Sequence, residues 1–151
     1  MRAGMVIRRI GLVLGALLVI VVVYYAGQVF AARTYTRDTL LPRLAATNHP
    51  LAVTDLSPRQ REILLKVEDP AFYRHHGVDL TTPGAGLTTI TQALVKVLYF
   101  EKFQPGVAKI RQTLIAYYAL DPLVGKDEQL RLFINLIGLG EGTRGFAEGA
   151  R

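Results

Sequence analysis

The chain contains no cysteine and no tryptophan. Without cysteine there is neither a disulfide framework nor a thiolate metal site, although that absence does not fix a compartment. Acid is missing from the first 37 residues, which carry Arg2, Arg8, Arg9, Arg33 and Arg37. These five make up most of the +6 net charge, because the other thirteen Lys/Arg face twelve Asp/Glu. The body is therefore almost neutral, which argues against nucleic acid as a partner, since that reading requires a basic face. A collagen-type glycine period is absent, and so is any sustained alternation of apolar and polar residues of the kind that marks half-buried strands. With 50% hydrophobic residues the chain is too apolar for disorder, and 151 residues support one domain of ordinary size.

What is present begins with a long apolar run. Residues 10–30 form a stretch of 21 without a formal charge. As a helix at about 1.5 Å per residue it reaches roughly 31 Å, the thickness of a bilayer core. A core helix of that length would show a polar stripe, and this one shows none. The competing reading is a cleaved signal peptide ending at Val29-Phe30-Ala31, but signal cores run about 7–15 residues. An uncleaved anchor is the expectation. Three arginines before the run against two after it keep the N-terminus in the cytoplasm and send the body across the membrane. The expected organisation is a cytoplasmic start at 1–9, an anchor at 10–31, a juxtamembrane linker at 32–55 and a domain at 56–151.

The rest reads as helices separated by short breaks. Residues 36–49 are mixed and end in the turn signal Asn48-His49-Pro50. Ser57-Pro58-Arg59-Gln60 opens a helix, with Ser57 as N-cap, Pro58 at the first position and Gln60 closing a capping box. A Thr/Pro/Gly loop at 81–86 precedes a helix over 89–100, in which Ile90 and Leu94 share one face while Gln92 and Lys96 lie on another. A third helix follows Gly106, with Val107, Ile110, Leu114 and Tyr117 at helical spacing. A fourth covers 126–137, ahead of the recurring glycines Gly138, Gly140, Gly142 and Gly145. The fold class is all-α. Its core is expected on Ile63, Leu64, Ile90, Leu94, Ile110, Leu114, Leu130 and Phe133, with no sheet of three or more strands.

The stretch richest in chemistry runs from Glu68-Asp69 through Phe72 and Tyr73 to His75 and His76. A carboxylate among aromatics can act as a general base, because desolvation raises its pKa. The plainer reading, a helix end with solvated acids and histidines on nearby carbonyls, is favoured by residue types alone. His75 and His76 are adjacent, point apart and do not chelate as an i, i+4 pair would.

Two ordered patterns change that balance. Glu68-Asp69-x-x-Phe72-x-x-His75-x-Gly77 resembles the first signature of the peptidoglycan glycosyltransferase family, the glycosyltransferase domain of bifunctional penicillin-binding proteins and their monofunctional relatives. Gly86-Leu87-Thr88-Thr89-Ile90-Thr91-Gln92-Ala93-Leu94-Val95-Lys96-Val97 is similar to its second, Gly-Gly-Ser-Thr-Ile-Thr-Gln-Gln-Leu-x-Lys-Asn, at eight of the twelve positions. The resemblance implies a lysozyme-like α-helical domain on the outer face of the bacterial cytoplasmic membrane. That domain polymerises lipid-linked disaccharide-peptide precursor and releases undecaprenyl pyrophosphate. It implies Glu68 as general base on the acceptor hydroxyl. Asp69, Phe72, His75, Thr89, Gln92, Lys96, Lys109 and Asn135 are implied as substrate-binding positions. Lys96 and the amides at the start of the Thr89 helix suit the departing pyrophosphate. The implied partners are the bilayer, the precursor and cell-wall synthases. No cofactor is firmly implied, though the family leaves room for a divalent cation, Mg or Mn; no metal ligand is assigned.

Later signatures depart from the family. In Arg-Lys-x-x-Glu the Glu is a second catalytic carboxylate, and here Lys109 aligns with the Lys and Gln112 with the Glu. A one-residue shift puts Thr113 there instead, and neither is an acid. The fourth signature resembles Lys126, Leu130, Arg131, Phe133, Ile134 and Asn135, with its Glu replaced by Arg131 and that positive charge expected near the site. The loop from Gly77 to Gly86 is shorter than the family's, and family members continue beyond the position of Arg151, so an incomplete C-terminus is expected. Three functions follow: a divergent polymerase; a catalytically degenerate relative that binds precursor or a synthase; and, with nothing but a single Glu in its favour, a glycan-cleaving enzyme. The expectation is weak or no polymerisation, with any turnover abolished by Glu68→Gln and raised by Gln112→Glu, alone or with Arg131→Glu.

Overall fold

The computed structural model describes residues 2–82, 88–140 and 142–149. Gly86 and Leu87 of the second signature lie outside the described residues, as does Arg151. Helix α1 (Arg2–Tyr35) passes through a π-helical turn (Thr36–Leu40) into α2 (Leu41–Ala46), and the helix is continuous from Val6 to Ala46. It is long and apolar enough to cross a membrane, and none of its most apolar stretch is buried against the rest of the protein. Beyond the apolar run the same helix turns inward. Ala32, Thr36, Leu40 and Leu44, spaced by four, are all buried, because residues four apart stack on one helix face. The segment 36–49, which reads as mixed, is thus helical as far as Ala46. The widened turn coincides with Thr36, whose Oγ1 bonds back to the Ala32 carbonyl at 2.6 Å and meets Tyr99 Oη at 2.5 Å. Burial pushes the Tyr99 phenol up to about 12, and the Thr36 hydroxyl partly offsets that rise.

A 3₁₀ turn (Val53–Asp55) leads into α3 (Pro58–Glu68), which starts as its sequence requires. Ser57 Oγ accepts from the Gln60 amide at 3.3 Å, and Gln60 Oε1 accepts from the Ser57 amide at 2.8 Å. Four elements follow: α4 (Ile90–Tyr99), α5 (Val107–Ile115) with a second π-helical turn (Ala116–Leu120), and α6 (Lys126–Leu136). The glycines after α6 form a two-stranded antiparallel pair, β1 (Gly138–Gly140) with β2 (Thr143–Arg144), before the short α7 (Gly145–Gly149). The protein is all-α, with one N-terminal transmembrane helix and a helical body, and the β1–β2 pair is the only sheet among the described residues.

The core gathers Leu64, Phe72, Ile90, Leu94, Ile115, Leu120, Leu130 and Phe133 around α4. Ile63 and Ile110, expected inside, are about half exposed, and Leu114 is only partly buried. The buried stripe of α5 runs instead through Gln112, Ile115, Ala116 and Ala119. Small alanines let α5 and its π turn approach α1 and α4 closely, and Gln112 satisfies a backbone carbonyl there, which the strongest apolar periodicity does not reveal. Two glycines fix further close approaches. Gly77 has φ +78°, and a Cβ there would lie 2.6 Å from the Ala116 carbonyl oxygen. At Gly145, φ +73°, a Cβ would lie 2.5 Å from the Asn135 carbonyl oxygen.

Candidate active site

Helix α3 stops at Glu68 because Pro70 disfavours helical backbone at Asp69, which adopts φ −161° and ψ 81°. The two neighbouring carboxylates therefore diverge. Glu68 is exposed and lines a cavity of about 300 Å³ together with Thr88, Lys96, Phe133, Ile137 and Phe146. It also lines a second cavity of about 360 Å³, walled by Gln60, Ile63, Val67 and again Phe146. Phe133, expected in the core and the fourth signature, also walls the first cavity, and Phe146, which sequence reasoning missed, follows the spaced glycines as a lone aromatic.

Asp69, by contrast, is only 2% exposed. Its Oδ2 accepts the Ile90 amide at 3.0 Å, and both its oxygens lie 2.9 Å from His75 Nε2. Asp69 and His75 thus anchor the start of α4 and do not reach the cavity. Thr89 caps that helix, accepting the Gln92 amide at 3.1 Å and donating to the Gly77 carbonyl at 2.7 Å, while Gln92 Oε1 accepts the Thr89 amide. The amides of Ile90 and Gln92, expected to meet pyrophosphate, are already taken. Phe72 is 1% exposed, edge-on to Tyr73 and His75, with Lys126 Nζ 4.7 Å from its ring centre. Asn135 clasps the Leu51 backbone, accepting its amide at 3.1 Å and donating to its carbonyl at 2.8 Å. Thr89 lines the Glu68 cavity itself, whereas Asp69, Phe72, His75, Gln92 and Asn135 build the site from behind.

Two lysines supply its positive charge. Lys96 on α4 is exposed at the cavity, with its Nζ 5.6 Å from the Phe103 ring centre. Lys109 on α5 donates to Thr88 Oγ1 at 3.1 Å. Burial lowers the Lys109 ammonium pKa, and the neighbouring Lys96 charge lowers it further. Gln112, aligned with the second catalytic Glu, is 1% exposed; its Nε2 donates to the Gln92 carbonyl at 2.6 Å, away from the cavity. Thr113 is the α5 residue that meets the Gln92 side chain, accepting from its Nε2 at 3.0 Å, one turn from Lys109. Arg131 is not beside Glu68 in either cavity. It is held by Glu128 at 2.5 and 2.7 Å, and that bond lowers the Glu128 pKa.

Among the described residues no three His, Asp or Glu converge as a metal site. Among the described residues the cavity offers a single carboxylate, Glu68, in company with Lys96. Such a donor set does not fit Mg or Mn, which need several oxygens and are repelled by an ammonium.

Residues 38–151 match the family described as Transglycosylase. Penicillin-binding protein 1F of Bacillus subtilis is 28% identical over 121 residues, covering 72% of this chain and 17% of that protein. Penicillin-binding protein 1A of Neisseria gonorrhoeae is 32% identical over 104 residues, covering 60% of this chain and 13% of that protein. A protein of Cupriavidus necator that carries a transglycosylase name is 29% identical over 126 residues, 74% of this chain and 54% of that protein. The chain thus spans about half the length of one of these relatives and under a fifth of the other two. With most of the chain matched, and with the Glu68 and Lys96 positions of two signatures meeting at one cavity, this chain belongs to the transglycosylase family.

Proposed function

We propose that the protein is a divergent peptidoglycan glycosyltransferase acting on lipid-linked disaccharide-peptide precursor at the outer face of the bacterial cytoplasmic membrane. The observation that carries this reading is the shared cavity of Glu68 and Lys96. Glu68 lines two cavities, so it is accessible from both sides, as a base between two sugars must be. The acceptor hydroxyl gives its proton to the Glu68 carboxylate as its oxygen bonds the donor's anomeric carbon. The bond from that carbon to the pyrophosphate breaks, and the leaving negative charge is met by Lys96, with Lys109 beside it. No step is assigned to a metal. The body stands outside because more arginines precede the apolar run than follow it.

A second reading, precursor binding without turnover, draws on one observation: the cavity has a single carboxylate among the described residues. Incubating the membrane-reconstituted chain with labelled precursor separates the two. Polymer that disappears in Glu68→Gln supports the transferase. Retained precursor without polymer supports the binder, and shortened glycan would overturn both.

A further inference from the structure

A groove of about 540 Å³ lies between the long N-terminal helix and the α4–α5 pair, on a different wall of the body from the Glu68 cavity. Its lower end is Gln28 and Ala31, at the end of the apolar run, and its inner wall is Val97, Leu98 and Ile115. The polar side carries Arg43, Arg111 and Glu101. Arg111 lies over the Phe100 ring, 4.7 Å from its centre, and its Nε is buried without a hydrogen-bond partner among the described residues. Neither Arg43 nor Arg111 forms an ion pair with Glu101 among the described residues. A buried guanidinium donor left unmatched is costly, and the partner that suits its planar fork is a phosphate or carboxylate.

We infer that this groove seats a phospholipid of the surrounding bilayer, its phosphodiester on Arg111 and Arg43 and its acyl chains running down past Ala31 into the membrane. Two guanidinium groups against one carboxylate leave the polar end positive, which favours an anionic headgroup such as phosphatidylglycerol over a zwitterionic one. Continuity with the membrane supports a lipid, because the groove opens where the apolar run of α1 ends. The inference rests on α1 spanning the bilayer and not on the catalytic reading. Val97, Leu98 and Tyr99 line the groove while Ile90, Ala93 and Lys96 line the Glu68 cavity, so the two flank one helix, α4.

The test is native mass spectrometry of the full chain released from vesicles of phosphatidylcholine mixed with phosphatidylglycerol. The wild type should retain one phosphatidylglycerol. Arg111→Gln should weaken that retention about tenfold, the scale of one charge-assisted hydrogen bond. Ala31→Trp, which blocks the apolar end and leaves every charge in place, should weaken it as well, with circular dichroism and membrane partition unchanged in both variants. Equal retention of the two lipids, or phosphatidylglycerol retention that survives both substitutions, would overturn the proposal. Failure of the wild type to partition into vesicles at all would overturn the spanning reading beneath it, whatever the precursor assay shows.

Discussion

Glu68 and Asp69 are chemically alike and adjacent, yet one is exposed at a cavity and the other is 2% exposed beneath α4. Substitution should separate them. Glu68→Gln is expected to keep the melting temperature and to lower polymerisation about 10²–10⁴-fold, the usual cost of removing a general base. Asp69→Ala should do the reverse in order of cause. It leaves the Ile90 amide and His75 unpaired in a buried place and destabilises the fold by about 2–3 kcal/mol, read in thermal unfolding. The geometry also chooses between the two positions for a second acid. Gln112→Glu would place a carboxylate against the Gln92 carbonyl at a site 1% exposed, and is expected to destabilise by roughly 3 kcal/mol or more. Thr113→Glu faces the Lys109 side of α5 and should raise polymerisation while the fold survives. Equal stability of both variants, measured by chemical denaturation, would reject this assignment. Sequence comparison alone left Gln112 and Thr113 open, because a one-residue shift on a helix is resolved only by which face meets its neighbour.

Among elements, the best legible were those with their own local chemistry. Ser57 and Gln60 close a reciprocal box, and Thr89 and Gln92 close another, so α3 and α4 begin where side chains can satisfy their first amides. Less legible was which stripe of a helix turns inward. In α5 the apolar Val107 and Ile110 are exposed while Gln112 is buried, because burial follows hydrogen bonding and close approach as well as hydrophobicity. The continuation of α1 to Ala46 was hidden for a related reason: a stripe spaced by four with only Ala32, Thr36, Leu40 and Leu44 is thin in composition but complete in geometry. The approach to the loop after α3 has its own switch. Asp79 accepts from the Thr81 and Thr82 amides at 2.9 and 3.0 Å, which with the Thr82 hydroxyl holds its carboxyl well below the usual range. A carboxylate depressed by folding stabilises the turn fully above its unfolded value of about 3.9, and that contribution fades as pH falls through it and below. Amide exchange at Thr81 and Thr82 should therefore lose protection on acidification, and in Asp79→Asn protection should be weaker and flat with pH.

At the scale of the whole molecule, the apolar run predicts that the protein stays with membranes after an alkaline carbonate wash. Release into the soluble fraction with a new N-terminus after Ala31 would instead identify a removed leader. The helix that crosses the bilayer is the same one that packs into the body, unbroken from Val6 to Ala46. Its most apolar stretch is bare; above, it is gripped by Tyr99 through Thr36 and by Tyr118, whose carbonyl takes the Arg33 guanidinium at 2.5 Å. The body is therefore mounted like a periscope head on a stiff tube, with no swivel between tube and head. Its height over the lipid is set by residue count. One residue inserted between Val23 and Tyr24 would lift the Glu68 cavity by about 1.5 Å, so a series of such insertions should change precursor turnover steadily with added length and without a helical period, because a single helix turns freely about its axis in the lipid.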